Sequence, residues 1–224
     1  MPEALIDPRF LFRFAVPVRY HKSGWTGGLN LGPEYRLLSL AELDGKKVFG
    51  DVRACWNEKG LGFRVEVRGK KQPIWCRESR MEDSDGLQVW VDTRDTHNVH
   101  RATRFCHRFA FMPAGGGRKF EEPVAEQLII NRARENAPPV RLQSLQIASQ
   151  RRSDGYVLEA FLPSSALTGF DAQEHPRLGF TYAVFDRELG LQTFSVGTCY
   201  PYEEDPSVWA TLELIRDGSL PKRA

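Results

Sequence analysis

The densest run of chemically capable side chains is Asp92-Thr93-Arg94-Asp95-Thr96-His97-Asn98-Val99-His100, with Cys106 and His107 close behind. Two histidines at His-x-x-His spacing beside carboxylates form a pattern that ligates zinc or a similar ion. Arg94, Arg101 and Arg104 put positive charge among them and oppose a cation, so the stretch reads instead as a hydrated hairpin loop whose Asp and Asn side chains satisfy backbone donors. Carboxylate chemistry is the next candidate: Glu66, Glu159 and Asp186 stand on or near expected strands, and hydrolysis would need two of them flanking one bond. No Gly-x-Ser-x-Gly elbow occurs and the cysteines carry no protease signature, so nucleophilic catalysis has no support and the chain reads as a non-enzyme. Gly115-Gly116-Gly117 is followed by Arg118-Lys119 rather than by the Gly-Lys-Ser/Thr of a phosphate cradle, and reads as an exposed loop tip.

The elements that must position such groups are strands. Leu61, Phe63, Val65 and Val67 alternate with Gly62, Arg64, Glu66 and Arg68, and Leu87, Val89 and Val91 alternate with Gln88, Trp90 and Asp92. The same period of two, the mark of a half-buried strand, runs through Phe105 to Phe111, Tyr156 to Leu162 and Leu178 to Val184, with a late strand over Trp209 to Ile215. Asn57-Glu58-Lys59-Gly60, Asp154-Gly155 and Glu188-Leu189-Gly190 supply hairpin turns. An opening strand is expected over Phe10 to Tyr20, with Pro17 near an edge or end. Two stretches read as helical: Val124 to Glu135, entered after Pro123 and bounded by Pro138-Pro139, and a short turn over Ser164 to Thr168. Neither could cover a parallel sheet, so the expected fold is all-β: an antiparallel two-sheet β-sandwich, jelly-roll-like, forming one domain over residues 1–224.

Composition agrees with a packed domain, since 41% of the 224 residues are hydrophobic and 27% charged. With 31 Lys and Arg against 29 Asp and Glu, the net charge of +2 gives no electrostatic reason to expect nucleic acid. The runs Gln150-Arg151-Arg152 and Lys222-Arg223 are short enough to be solvated ends. The opening residues Met1 to Asp7 show neither a signal peptide nor a membrane anchor, which makes a cytoplasmic location the expectation and a membrane partner an unexpected one. Cys55, Cys76, Cys106 and Cys199 lack Cys-x-x-Cys spacing and are expected to be mostly buried free thiols.

Four segments, in order, carry a resemblance to a known family. They are Val52 to Phe63 with its Trp56 and acidic turn; Glu82-Asp83-Ser84-Asp85-Gly86-Leu87-Gln88-Val89-Trp90-Val91-Asp92; Asp154 to Ala160 leading through Pro163 to Leu178-Gly179-Phe180 and Asp186; and Asp205-Pro206-Ser207 before Leu212-Glu213-Leu214. Over residues 48–215 the chain resembles the family 9 carbohydrate-binding modules, within the wider group of sandwiches that includes DOMON domains. The resemblance implies a concave sheet face that holds a saccharide, with rings stacked on pyranose C–H faces and amide, carboxylate and guanidinium groups on the hydroxyls. Gln88 falls on the family's hydrogen-bonding glutamate, and Arg108, two residues before Ala110 and on the same face, stands in for its arginine.

The two family tryptophans, three residues before Asp85 and two before Asp205, are replaced by Glu82 and Glu203. Trp75, Trp90 and Tyr202 are the rings that could rebuild a platform, so the ligand-binding set is Gln88, Arg108, Trp75, Trp90 and Tyr202. The resemblance also implies that structural calcium occurs in the family, with ligands not fixed here, and some DOMON relatives hold haem. For haem the axial candidates are Met81, Met112 and His107, with Met112 facing away from His107. No cofactor is otherwise predicted. The replaced tryptophans keep a second expectation open, a protein-interaction or structural module that retains the scaffold without the sugar clamp.

Overall fold

The structure is a computed structural model that describes residues 14–40, 47–195 and 197–216. Alternating sequences become strands because each side chain in turn faces the core or the outside, and here they form β1 (Ala15–Tyr20), β2 (Gly50–Asn57), β3 (Gly60–Arg68), β4 (Gly86–Asp92), β5 (Cys106–Gly116) and β6 (Glu122–Leu128). They are followed by β7 (Gln146–Arg152), β8 (Gly155–Pro163), β9 (Arg177–Asp186), β10 (Gly190–Thr193) and β11 (Ala210–Ile215). The strands make one 11-stranded hydrogen-bonded ladder in the order β6-β5-β4-β9-β11-β1-β2-β3-β8-β7, with β10 hairpinned onto β9. The ladder curls nearly closed: β5 packs against β7 and β8, and β6 lies beside β7.

The all-β expectation stands, and the alternating segments read at β3, β4, β5, β8, β9 and β11 are strands. Leu61, Phe63, Val65 and Val67 face Tyr156, Leu158, Ala160 and Leu162, Leu87, Val89 and Val91, and Leu178, Phe180, Tyr182 and Val184 in one core. Phe63 and Phe180 stack across it at 5.7 Å. Burial of each such side chain stabilises the fold by about 1.5–3 kcal/mol, so the alternation itself selects the curled shape.

Two readings need correction. The expected helix over Val124 to Glu135 is absent: Val124 to Leu128 is strand, because its main chain pairs with the outer side of β5 through Met112 to Val124, Ala110 to Glu126 and Arg108 to Leu128, and residues 129–135 are turns and irregular chain. A ladder bond at each second residue outweighs the few tenths of a kcal/mol by which Ala125, Glu126 and Gln127 favour helix. The pairing is also not wholly antiparallel: β1 runs parallel to both β11 and β2, which the long connection between β1 and β2 permits. Pro17 lies on the stretch of β1 that pairs with β11 alone, since pairing to β2 starts at Arg19, so its missing N–H falls where one side is open. The expected short turn is a 3-10 helix over Ser164–Ala166. Phe10 and Phe12 of the expected opening strand lie outside the described residues.

Gly60 shows why the β2–β3 turn needs glycine. Its φ of 144° brings the α-carbon so close to β8 that an added Cβ would sit 1.9 Å from the Leu162 carbonyl oxygen. Gly60→Ala is expected to lower stability by about 1–3 kcal/mol. The urea midpoint checks it, and an unchanged midpoint would mean that β3 and β8 separate without cost.

Candidate functional site

Strand register brings three of the five sequence-predicted residues, Gln88, Trp90 and Arg108, together on the outer face of β4, β5 and β9, and the segment before β11 adds Tyr202. Trp90 lies between Arg108 and Thr181 in one row, and Gln88 lies between Ala110 and Ala183 in the next. The Arg108 guanidinium donates to Gln88 Oε1 at 2.8 Å, pairs with the Glu82 carboxylate at 2.8 Å, and stacks over the Trp90 ring at 5.0 Å. Gln88 Nε2 donates to the Glu82 carbonyl at 3.1 Å, and the Trp90 indole N–H donates to the Glu203 carbonyl at 3.2 Å. Tyr202 meets Trp90 edge-on at 5.5 Å and offers its hydroxyl to Glu203, while its carbonyl accepts from the Trp209 indole N–H.

These groups differ sharply in access. Trp90 is 0% exposed, Arg108 2% and Tyr202 3%, because Ala102, Ile130 and Trp209 cover this face. Arg108 Nε is buried without a hydrogen-bond partner among the described residues. Burial, reinforced by the Glu203 carboxylate, raises the Tyr202 phenol and keeps it protonated. Glu82 and Glu203, the residues at the two tryptophan positions of the family, are exposed and flank the buried cluster. The outward chemistry is therefore two carboxylate acceptors over an arginine and a glutamine, with no ring face presented at this point.

Trp75 lies elsewhere, at the end of the sheet. Arg187, Arg77 and Arg80 surround its ring at 4.7, 5.4 and 6.0 Å. Its backbone is fixed by a group that sequence reading missed: Lys70, buried, bridges Asp85 at 3.0 Å and Asp186 at 2.6 Å, with both carboxylates fully buried. Asp85 also accepts from the Trp75 and Arg187 main-chain N–H groups, and Asp186 from those of Glu188 and Leu189. Asp85 had a signal only within the segments that carry the resemblance, and Asp186 both there and as a candidate carboxylate. Lys70, beside Lys71 in a polar loop, had none.

The remaining candidates are taken up by structural partners. Asp92 accepts from the Arg94 and Thr96 N–H groups, the expected loop arrangement. His97 contacts Asp95 and Thr211, whereas His100 contacts Asp205 and Ser207. Among the described residues no three His, Cys, Asp or Glu side chains converge on a metal position. Met81 and Met112 pack together with Ala110, and His107 points to the opposite side of β5, stacked on Phe109. Glu66 holds Arg64, Arg68 and Arg152, and Glu159 pairs with Arg64 and accepts from the Asn30 N–H. All four cysteines are free, and burial pushes the thiols of Cys55, Cys76 and Cys106 up to about 12.

The fold is shared with proteins named for carbohydrate binding. It superposes on a family 9 carbohydrate-binding module from Caldicellulosiruptor kristjanssonii in complex with cellotriose (TM-score 0.58, 12% identity, covering 94% of this chain and 100% of that one). The likeness to such a module from the same organism in complex with glucose has a TM-score of 0.57, also at 12% identity, with 94% of this chain and 100% of that one covered. A Bacteroides uniformis protein provisionally assigned to carbohydrate binding follows at 0.56 and 13% identity, covering 91% of this chain and 100% of that one. At such identities the likeness establishes the fold. By sequence, no family model and no curated protein matches the chain.

Proposed function

We propose that the protein is a noncatalytic saccharide-binding domain whose site opens at Glu82 and Glu203 above Gln88, Arg108 and Trp90. The observation that carries this reading is the convergence of those side chains from separate segments onto one outer sheet face, on a fold shared with a cellotriose-bound module. Carboxylates accept hydrogen bonds from sugar hydroxyls, and the arginine and glutamine hold the Glu82 carboxylate and backbone in place. We read the scaffold as a sandwich of two layers, β2-β3-β8-β7 over β9-β4-β5-β6, in the jelly-roll manner of such modules. The engagement of Glu66, Glu159 and Asp186 by neighbouring cations supports a noncatalytic role.

Titration calorimetry with glucose and cellotriose tests the site. Binding by the parent, weakened about tenfold or more in Glu82→Ala/Glu203→Ala, is the expected outcome, since each hydrogen bond to a charged group contributes roughly 1.5–3 kcal/mol. No heat with either sugar and silence across a glycan array would remove this reading. The second reading, a protein-interaction module without the sugar clamp, is favoured by the complete burial of the Trp90 and Tyr202 rings, and a stable co-purifying protein partner supports it.

A further inference from the structure

We propose that Trp75, Arg77 and Arg187 form an anion subsite that takes the carboxylate of an acidic saccharide. The proposal rests on the saccharide reading for the chemical class of ligand, and on its own geometry for the place. The guanidinium carbons of Arg187, Arg77 and Arg80 lie within 6.0 Å of one indole centroid. Arg80 has a counter-ion, Asp83, at 2.5 Å. Arg77 and Arg187 are exposed, and among the described residues neither has a carboxylate within ion-pairing distance. Two like charges drawn to one ring repel each other, and cation–π attraction of about 0.5–1 kcal/mol each at exposed sites offsets that only in part. An anion bound at the patch would offset the remaining repulsion.

The patch is held in shape from below. The Asp85 carboxylate ties the Trp75 and Arg187 N–H groups at 2.9 and 2.8 Å, and Ser84 Oγ accepts from the Arg77 N–H at 3.0 Å. Glu188, next to Arg187 in the chain, is occupied by the main-chain N–H groups of Lys71 and Gln72. The position also fits a chain of sugars. Arg80 and Glu82 share the short helical segment Glu78–Asp83, and the row Gly86–Phe185 follows Gln88–Ala183 about 7 Å along the strands toward Arg187. Guanidinium forks match a carboxylate in two parallel hydrogen bonds, and the indole supplies the apolar surface for the ring that bears it.

Calorimetry with tetragalacturonate, cellotetraose and inorganic sulfate tests the subsite, in the parent, in Arg77→Ala/Arg187→Ala and in Glu82→Ala/Glu203→Ala. The parent is expected to bind tetragalacturonate at least tenfold more tightly than cellotetraose, and the arginine variant to lose that preference. Uronate affinity unchanged in the arginine variant overturns the subsite, even if the glutamate variant abolishes binding and so upholds the site at Glu82. Sulfate bound as tightly as the uronate also overturns it, because the patch would then hold a free anion only. Arginine-dependent uronate binding without any cellotetraose binding upholds the subsite while the Glu82 site fails.

Discussion

Lys70→Met is expected to remove about 3–5 kcal/mol of stability, read as a lowered urea midpoint with an unchanged slope. The variant leaves Asp85 and Asp186, both 0% exposed, facing one another without the ammonium that lies 3.0 and 2.6 Å from them. Replacing a whole buried ion cluster by apolar residues is often harmless elsewhere, but not here. The two carboxylates also accept from the main-chain N–H groups of Trp75, Arg187, Glu188 and Leu189, which would be orphaned. Lys70→Met/Asp85→Leu/Asp186→Leu is therefore expected to be no more stable than the single variant. Full stability in the triple variant would show that the cluster is dispensable.

Acid should weaken the protein first through His107. Its ring is 1% exposed, and burial pushes it down to about 4; the Thr168 carbonyl, which accepts from the Thr93 hydroxyl, lies near enough to oppose this only in part and makes no well-formed hydrogen bond to either ring nitrogen. The folded state thus disfavours the proton that the unfolded chain accepts near pH 6.5. Stability from this group is whole above pH 6.5, falls as pH drops from there to about 4, and has lost about 3 kcal/mol at the lower end. Asp51, held at about 2 by Arg53 and Arg36 against its burial, loses its contribution only below pH 3.8, outside that window. Asp92 is raised by burial and acts in the opposite direction in parent and variant alike. His107→Leu is therefore expected to flatten the urea midpoint between pH 6.5 and 4. A parent midpoint that does not move over that range would mean that the imidazole takes up its proton without opening the core.

The core was legible because burial on one face writes itself into every second residue, as in Leu61 to Val67 and Leu178 to Val184. The Val124 segment was not, because it forms the edge strand β6, and its partner β5 leaves no trace in the residues that pair with it. The same limit explains β1, whose direction beside β11 and β2 is set by distant strands. At the site, strand parity put Trp90 on the face of Gln88 and Arg108 on that of Ala110, whereas the association of the two strands came from the family resemblance and is seen in the register. Burial of Trp90 under a loop was a reading that the sequence allowed, but parity says nothing about what lies above a face, so the covering segment around Tyr202 and the pairing of Arg108 with Glu82 had no signal. Trp75 was separated from the others by a turn whose direction depends on Lys70 reaching Asp186, far along the chain.

The position of β11 bears on how the chain matures. It lies between β9 and β1, so it joins the β4-β5-β9 group to the β2-β3-β8 group, yet among the described strands it is the last in chain order. Until Ala210–Ile215 emerges, each half holds an open edge beside apolar surface, the state in which nascent chains aggregate or recruit chaperones. Joining the two groups thus waits for Ala210–Ile215, and a translational pause upstream of Ala210 prolongs the interval in which both edges are open.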